Sequence, residues 1–175
     1  MDLNYEDTLR IWKEKSARLA FIYDFILSKY RRRINMFTLF AFLLTSMTSL
    51  LALSNVGLSE NKYPELALAL KVTSAVITTC AAIATGIPRL FGWSSLVEVC
   101  QKYLDSVEYF IAAILSEEVL PKEFRRNPEE FITQRRDQFL SILGNAPDIS
   151  HSDFLEASRK YESSELRFRQ NLLTI

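Results

Sequence analysis

The chain has one histidine, His151, and two cysteines, Cys80 and Cys100, so it lacks both the ligands for a zinc site and the spaced pairs of a disulfide framework. Four glycines and five prolines supply too few turn signals for an all-β chain, while apolar residues recur at helical spacing almost throughout. No glycine-rich phosphate loop, nucleophile elbow or histidine metal pattern occurs, and His151 lies among serines with no partner implied. The potassium-filter sequence is missing too. An excess of one charge is also lacking: 21 basic residues stand against 21 acidic ones, which argues against a nucleic-acid partner and against an acidic disordered tail. The expectation is an all-α, non-enzymatic chain of 175 residues on one helical scaffold, with no cofactor and no metal.

What the chain has is an uneven placement of charge. Met1 to Arg33 holds eight basic and five acidic residues, Ile34 to Pro88 two of each, and Arg89 to Ile175 eleven and fourteen. Ile34 to Ser59 is a run of 26 uncharged residues. As a helix, Ile34 to Asn55 alone extends about 33 Å, enough for the hydrocarbon core of a bilayer. A second run, Val72 to Pro88, has 17 uncharged residues after Lys71, whose ammonium can snorkel to the headgroups. The expected order is an amphipathic helix over 1–33, a transmembrane helix over 34–58, a turn over 59–69, a second transmembrane helix over 70–88, a heptad helix over 89–120 and a helical tail over 121–175. The linker Ser59 to Glu65 reads as a polar turn, with Pro64 breaking helix and Tyr63 suited to the interface.

Orientation follows from the flanks. Arg31, Arg32 and Arg33 precede the first span and Arg89 follows the second, whereas the turn holds Lys62 against Glu60 and Glu65. With Lys71 these form the membrane-interface anchors, and the basic bias puts both termini in the cytoplasm of a multi-pass membrane protein. A cleaved signal peptide is disfavoured, because 33 residues precede the first span. A soluble core hairpin would need both helices sheathed on all sides, and the rest of the chain is too small for that.

Two seams flank the spans. Leu9, Trp12, Ser16, Leu19, Tyr23, Ile26 and Tyr30 alternate at spacings of three and four, as do Trp93, Val97, Cys100, Leu104, Val107, Ile111 and Ile114. They can zip against each other or against other subunits, with Glu98, Asp105 and Glu108 available to Lys15, Arg18 and Lys29. Asn127-Pro128-Glu129-Glu130 is a helix start, Gly144, Asn145 and Pro147 make a turn, and Ser150 with Asp153 resembles a capping box. The tail is free to pack on the arms, bind a partner or, through Arg125/Arg126 and Arg135/Arg136, lie along a membrane surface.

Within the spans, Ser74, Thr78, Ala82 and Gly86 form a small-xxx-small ridge for close helix packing. Thr38, Thr45, Ser46, Thr48 and Ser49 add hydroxyls to the first span; such groups serve helix packing or, in an oligomer, line a pore. Gly86 and Pro88 read as a hinge between the second span and the following helix.

The amphipathic helix Leu9 to Arg33 with its tryptophan, the hydroxyl-rich pair of spans and the long helix RLFGWSSLVEVCQKYLDSVEYFIAAIL (Arg89 to Leu115) together resemble the SLATT domains, two-span modules associated with SMODS nucleotidyltransferases and SLOG sensors. The likeness covers roughly residues 5 to 160. It implies an oligomeric membrane effector that perforates the cell's own membrane in antiviral defence, its signal coming from a separate sensor protein or read by the arms and tail. Similar proteins of large DNA viruses imply the alternative, a structural membrane protein docking a shell protein through its cytoplasmic helices.

Overall fold

The computed structural model describes residues 5–56, 64–121, 125 and 127–173, and every regular element among them is a helix, as the composition implies. The order is α1 (Tyr5–Val56), α2 (Pro64–Leu90), α3 (Trp93–Val119), α4 (Pro128–Gly144) and α5 (His151–Leu173). The expected turn residues Ser59, Glu60, Lys62 and Tyr63 lie outside the described residues, as does Arg126. Two compact units emerge: a bundle unit, Met1–Lys29 with Leu96–Ile175, and an apolar unit, Tyr30–Ser95.

Helix α1 has 52 residues, about 78 Å at the usual rise. It contains neither glycine nor proline, so nothing breaks the backbone at Arg33, where the composition changes from charged to apolar. Pro64, expected to end a helix, instead opens α2 from the first helical position, where its missing N–H costs nothing. The helix then runs through Gly86 and Pro88 to Leu90. The chain stops being helical at Phe91 and Gly92, where Gly92 has a φ of 65°. Its N–H donates to the Arg89 carbonyl at 3.1 Å and the Phe91 N–H to that of Ile87 at 3.1 Å, closing the end of α2. The left-handed backbone, and not crowding, favours glycine here: the nearest atom to an added Cβ would be Ser95 Oγ at 3.5 Å.

In the bundle unit the expected seams point inward but are only part of the core. Leu9, Ser16, Tyr23, Ile26, Cys100, Leu104, Val107 and Ile114 are buried; Trp12, Leu19, Val97 and Ile111 are half-buried. Ile22, Leu27, Tyr103 and Phe110 join them, because each helix meets more than one neighbour and buries a wider stripe than a two-helix seam. The extra neighbours are α4 and α5. Phe139 of α4 stacks on Trp12 (5.4 Å between centroids) and on Phe110 (5.6 Å), and Tyr161 of α5 meets Phe21 edge-on at 5.4 Å. The tail therefore packs on the helices it follows, with Phe131, Ile142 and Ala157 buried.

The ion pairs differ from those expected. Lys29 takes Asp153 at 2.7 Å and Glu156 at 2.5 Å, Arg18 takes Glu162 at 3.7 Å, and Lys13 takes Glu118 at 2.7 Å. Glu98 pairs instead with Lys102 one turn along its own helix, and Asp105 accepts from Gln101. The partner of α1 for charge is thus chiefly α5, running antiparallel beside it. Asn127 caps α4 by accepting the Glu129 N–H at 3.2 Å, with Pro128 at the first helical position, as the sequence signals. Arg125 closes the end of α3 by donating to the carbonyls of Glu118 and Leu120, both at 2.9 Å.

Candidate functional site

The apolar unit turns its large side chains outward. Met36, Leu39, Phe40, Phe42, Leu43 and Leu50 of α1 are exposed, as are Leu68, Val72, Val76 and Ile83 of α2. Phe42, at 67 % exposure, is typical. Apart from Tyr30 at its border, the residues that the unit buries are small: Ala41 of α1, and Ala67, Ala81, Ala84 and Pro88 of α2. Helices that approach through alanine come close and leave their bulky residues for another solvent. Two helical segments, Tyr5–Ser54 and Pro64–Val119, contain stretches long and apolar enough to cross a membrane, and those stretches are only 6 % and 11 % buried. A core helix of a soluble domain passes the same length test but is covered.

The anticipated ridge lies partly off this buried face. Ser74 and Gly86 are half-buried at its edges, while Thr78 and Ala82 face outward, because a strict spacing of four drifts around a helix of 3.6 residues per turn. On α1, Thr45 is exposed and Thr48 half-buried. Most of the hydroxyls share one local geometry, donating to a carbonyl one turn back. Thr38 bonds Ile34, Thr45 bonds Ala41, Thr48 bonds Leu44, Thr73 bonds Ala69 and Thr78 bonds Ser74, at 2.8 to 3.0 Å. Thr85 reaches two carbonyls, Ala81 at 3.2 Å and Ala82 at 2.9 Å. A hydroxyl satisfied in this way presents no bare donor to hydrocarbon, and its lone pairs still accept from a neighbouring helix or from water.

One end of the apolar unit is both basic and aromatic. Arg31, Arg32, Arg33 and Arg89 are exposed there, and the Arg33 guanidinium lies 5.3 Å from the centre of the Tyr30 ring and 5.8 Å from that of Trp93. Phe37 and Phe91 each approach Trp93 at 5.7 Å, Phe91 nearly parallel to it. The seam reading of Trp93 missed this: Trp93 belongs to the apolar unit and gathers an aromatic and cationic cluster, signalled in the sequence by Tyr30, Arg33 and Phe37 at successive helical turns. Lys71 is exposed on the first two turns of α2.

The bundle unit carries a cleft of about 680 Å³ lined by Tyr5, Leu9, Lys13, Glu117, Arg125 and Tyr161, among others. Burial and the nearby Glu117 raise the Tyr5 phenol above its ordinary value. Deeper in, burial pushes Tyr23 up to about 12, and its hydroxyl donates to the Pro147 carbonyl at 3.0 Å. Cys100 is buried with its thiol raised by desolvation, the environment of an inert core cysteine, and Cys80 is exposed on α2. Among the described residues no group of three histidine, cysteine or acidic side chains could hold a metal ion, and His151 is exposed at the start of α5. Comparison with family models, curated proteins and solved structures finds no match to this chain.

Proposed function

We propose that the chain is a two-span membrane protein that acts as an oligomeric membrane effector, with the bundle unit as its signal-receiving part on the cytoplasmic side. The carrying observation is the uncovered apolar surface of α1 and α2: lipid is the solvent in which such a surface is stable. Alanine-lined contact between the two helices and back-bonded hydroxyls on their outer faces support a bilayer setting. Outward-facing Thr78 and Ala82 leave a small, hydroxyl-bearing strip for a helix of a second copy. One helix pair cannot enclose a pore, so permeation requires several copies. The resemblance of α1, the spans and α3 to SLATT domains extends this reading to membrane perforation on a signal from a separate sensor protein. Both termini then lie on the side of Arg31, Arg32, Arg33 and Arg89.

The test is a liposome flux assay on the full chain together with the mass of the detergent-solubilised particle. A defined oligomer that passes ions, with flux altered at least severalfold by Thr78→Trp or Ala82→Trp, supports the effector. An oligomer that leaves the vesicles tight at every protein-to-lipid ratio overturns perforation and favours a structural membrane component that docks a shell protein. Protein that stays in the supernatant, monodisperse without detergent, overturns the membrane reading itself.

A further inference from the structure

The cations of the two units are handled differently. Lys13, Arg18, Lys29 and Lys102 of the bundle unit each hold a carboxylate. Arg32, Arg33 and Arg89 of the apolar unit hold none among the described residues. The apolar unit has six basic residues against two acidic ones, and four of the six stand at its arginine-rich end. We propose that this end is a binding surface for anionic phospholipid, with Arg32, Arg33 and Arg89 gripping the headgroup phosphate. The proposal rests on the membrane reading above and adds the class of lipid and the residues that select it.

Three observations carry it. The Arg33 guanidinium carbon lies over the Tyr30 and Trp93 rings, a cation–π contact that holds the group at this end, where its N–H donors can meet an oxyanion with two parallel hydrogen bonds. Arg31, Arg32 and Arg33 follow one another at about 100° steps around α1, so the cations fan over about 200° of the helix instead of marking a single line along it. The turn at Gly92 leaves Leu90 and Phe91 85 % and 69 % exposed directly beside Arg89. A free phosphate or a soluble nucleotide would answer the arginines and leave those two side chains in water. A phospholipid answers both, its phosphate meeting the guanidinium groups and its glycerol and upper acyl chain meeting Leu90 and Phe91.

The full chain is reconstituted into vesicles of phosphatidylcholine and phosphatidylglycerol in equal amounts, extracted with a limiting amount of mild detergent, and the retained lipids are quantified by mass spectrometry. Wild-type protein is expected to retain phosphatidylglycerol well above its share in the vesicle. The triple variant R32Q/R33Q/R89Q is expected to lose on the order of tenfold of that preference, while Lys71→Gln keeps it. Carbonate-resistant sedimentation with the vesicles and far-UV circular dichroism, measured on the same samples, report insertion and folding. A triple variant that sediments, stays helical and retains as much phosphatidylglycerol as wild type overturns the proposal and leaves the membrane reading standing. So does a loss of preference in Lys71→Gln equal to that in the triple variant. Wild-type protein that fails to sediment with the vesicles overturns both.

Discussion

The two units of this chain are built on opposite rules. In the bundle unit the large side chains Ile22, Ile26, Phe110 and Ile114 are inside and several cations outside, Lys29 among them, hold carboxylates; in the apolar unit Phe40, Phe42, Leu43 and Leu50 are outside and alanines inside. By charge the contrast repeats: the bundle unit carries 15 basic and 19 acidic residues, net −4, and the apolar unit six and two, net +4. A neutral total therefore hides two fields of opposite sign. The lesson is that a composition averaged over a chain describes neither of its environments.

The widest separation between the units should appear on truncating a phenylalanine in each. Phe110, fully buried between Trp12 and Phe139, is expected to cost about 3–5 kcal/mol as alanine, read by urea unfolding in mild detergent with Trp12 fluorescence in a Trp93→Phe background. Phe42→Ala is expected to stay within about 0.5 kcal/mol in the same assay, and an equal cost at both sites would erase the distinction. Next in size is a charge placed on each exterior. Leu43→Asp should cost about 3 kcal/mol of membrane insertion, seen as protein released by carbonate, whereas Leu140→Asp on the exposed side of α4 should release none.

The pH response sharpens the comparison on the bundle side. Tyr23 is held neutral up to about 12, above the ordinary 10.0, so between those values the unfolded chain gives up its phenolic proton first and folding weakens as pH rises. Lys29, raised from its ordinary 10.5 by the hydrogen bonds it donates to Asp153 and then to Glu156, acts in the same direction: its contribution is complete below 10.5 and is lost as pH climbs through the raised value. Urea midpoints of the bundle should therefore fall from about pH 10 upward, and Tyr23→Phe should flatten the lower part of that fall. A midpoint unchanged to pH 12 would contradict the burial of that phenol. The smallest effect concerns Ser16, fully buried with no hydrogen-bond partner for its Oγ among the described residues. Ser16→Ala should be neutral or stabilising by about 1 kcal/mol, against the destabilisation usual for a core substitution.

The helical class, the two apolar runs and the cap at Asn127 were readable because each is local: a period, a length, a four-residue signal. Seam residues such as Ile26, Cys100 and Val107 were readable for the same reason. Phe110 and Ile22 were not, since the width of a buried stripe depends on how many neighbours a helix has. Nor was the pairing of Lys29 with Asp153, 124 residues apart, because a surface lysine has many carboxylates to choose from until the fold brings one near. At the candidate site, Arg31, Arg32, Arg33 and Arg89 were legible as a cationic border. The buried face of α2 was not, because small residues occur on most of its sides and spacing alone could not separate Ala81 and Ala84 from Thr78 and Ala82.

The bundle unit is discontinuous along the chain: residues 1–29 and 96–175 build it, and the apolar unit lies between them. During synthesis the first strip of its core, Leu9 to Leu27, leaves the ribosome long before Tyr103, Phe110 and Phe139 exist to cover it. The bundle unit can close only after the apolar unit has been made, so the order of translation commits the hydrophobic helices to their surroundings before the bundle core is complete.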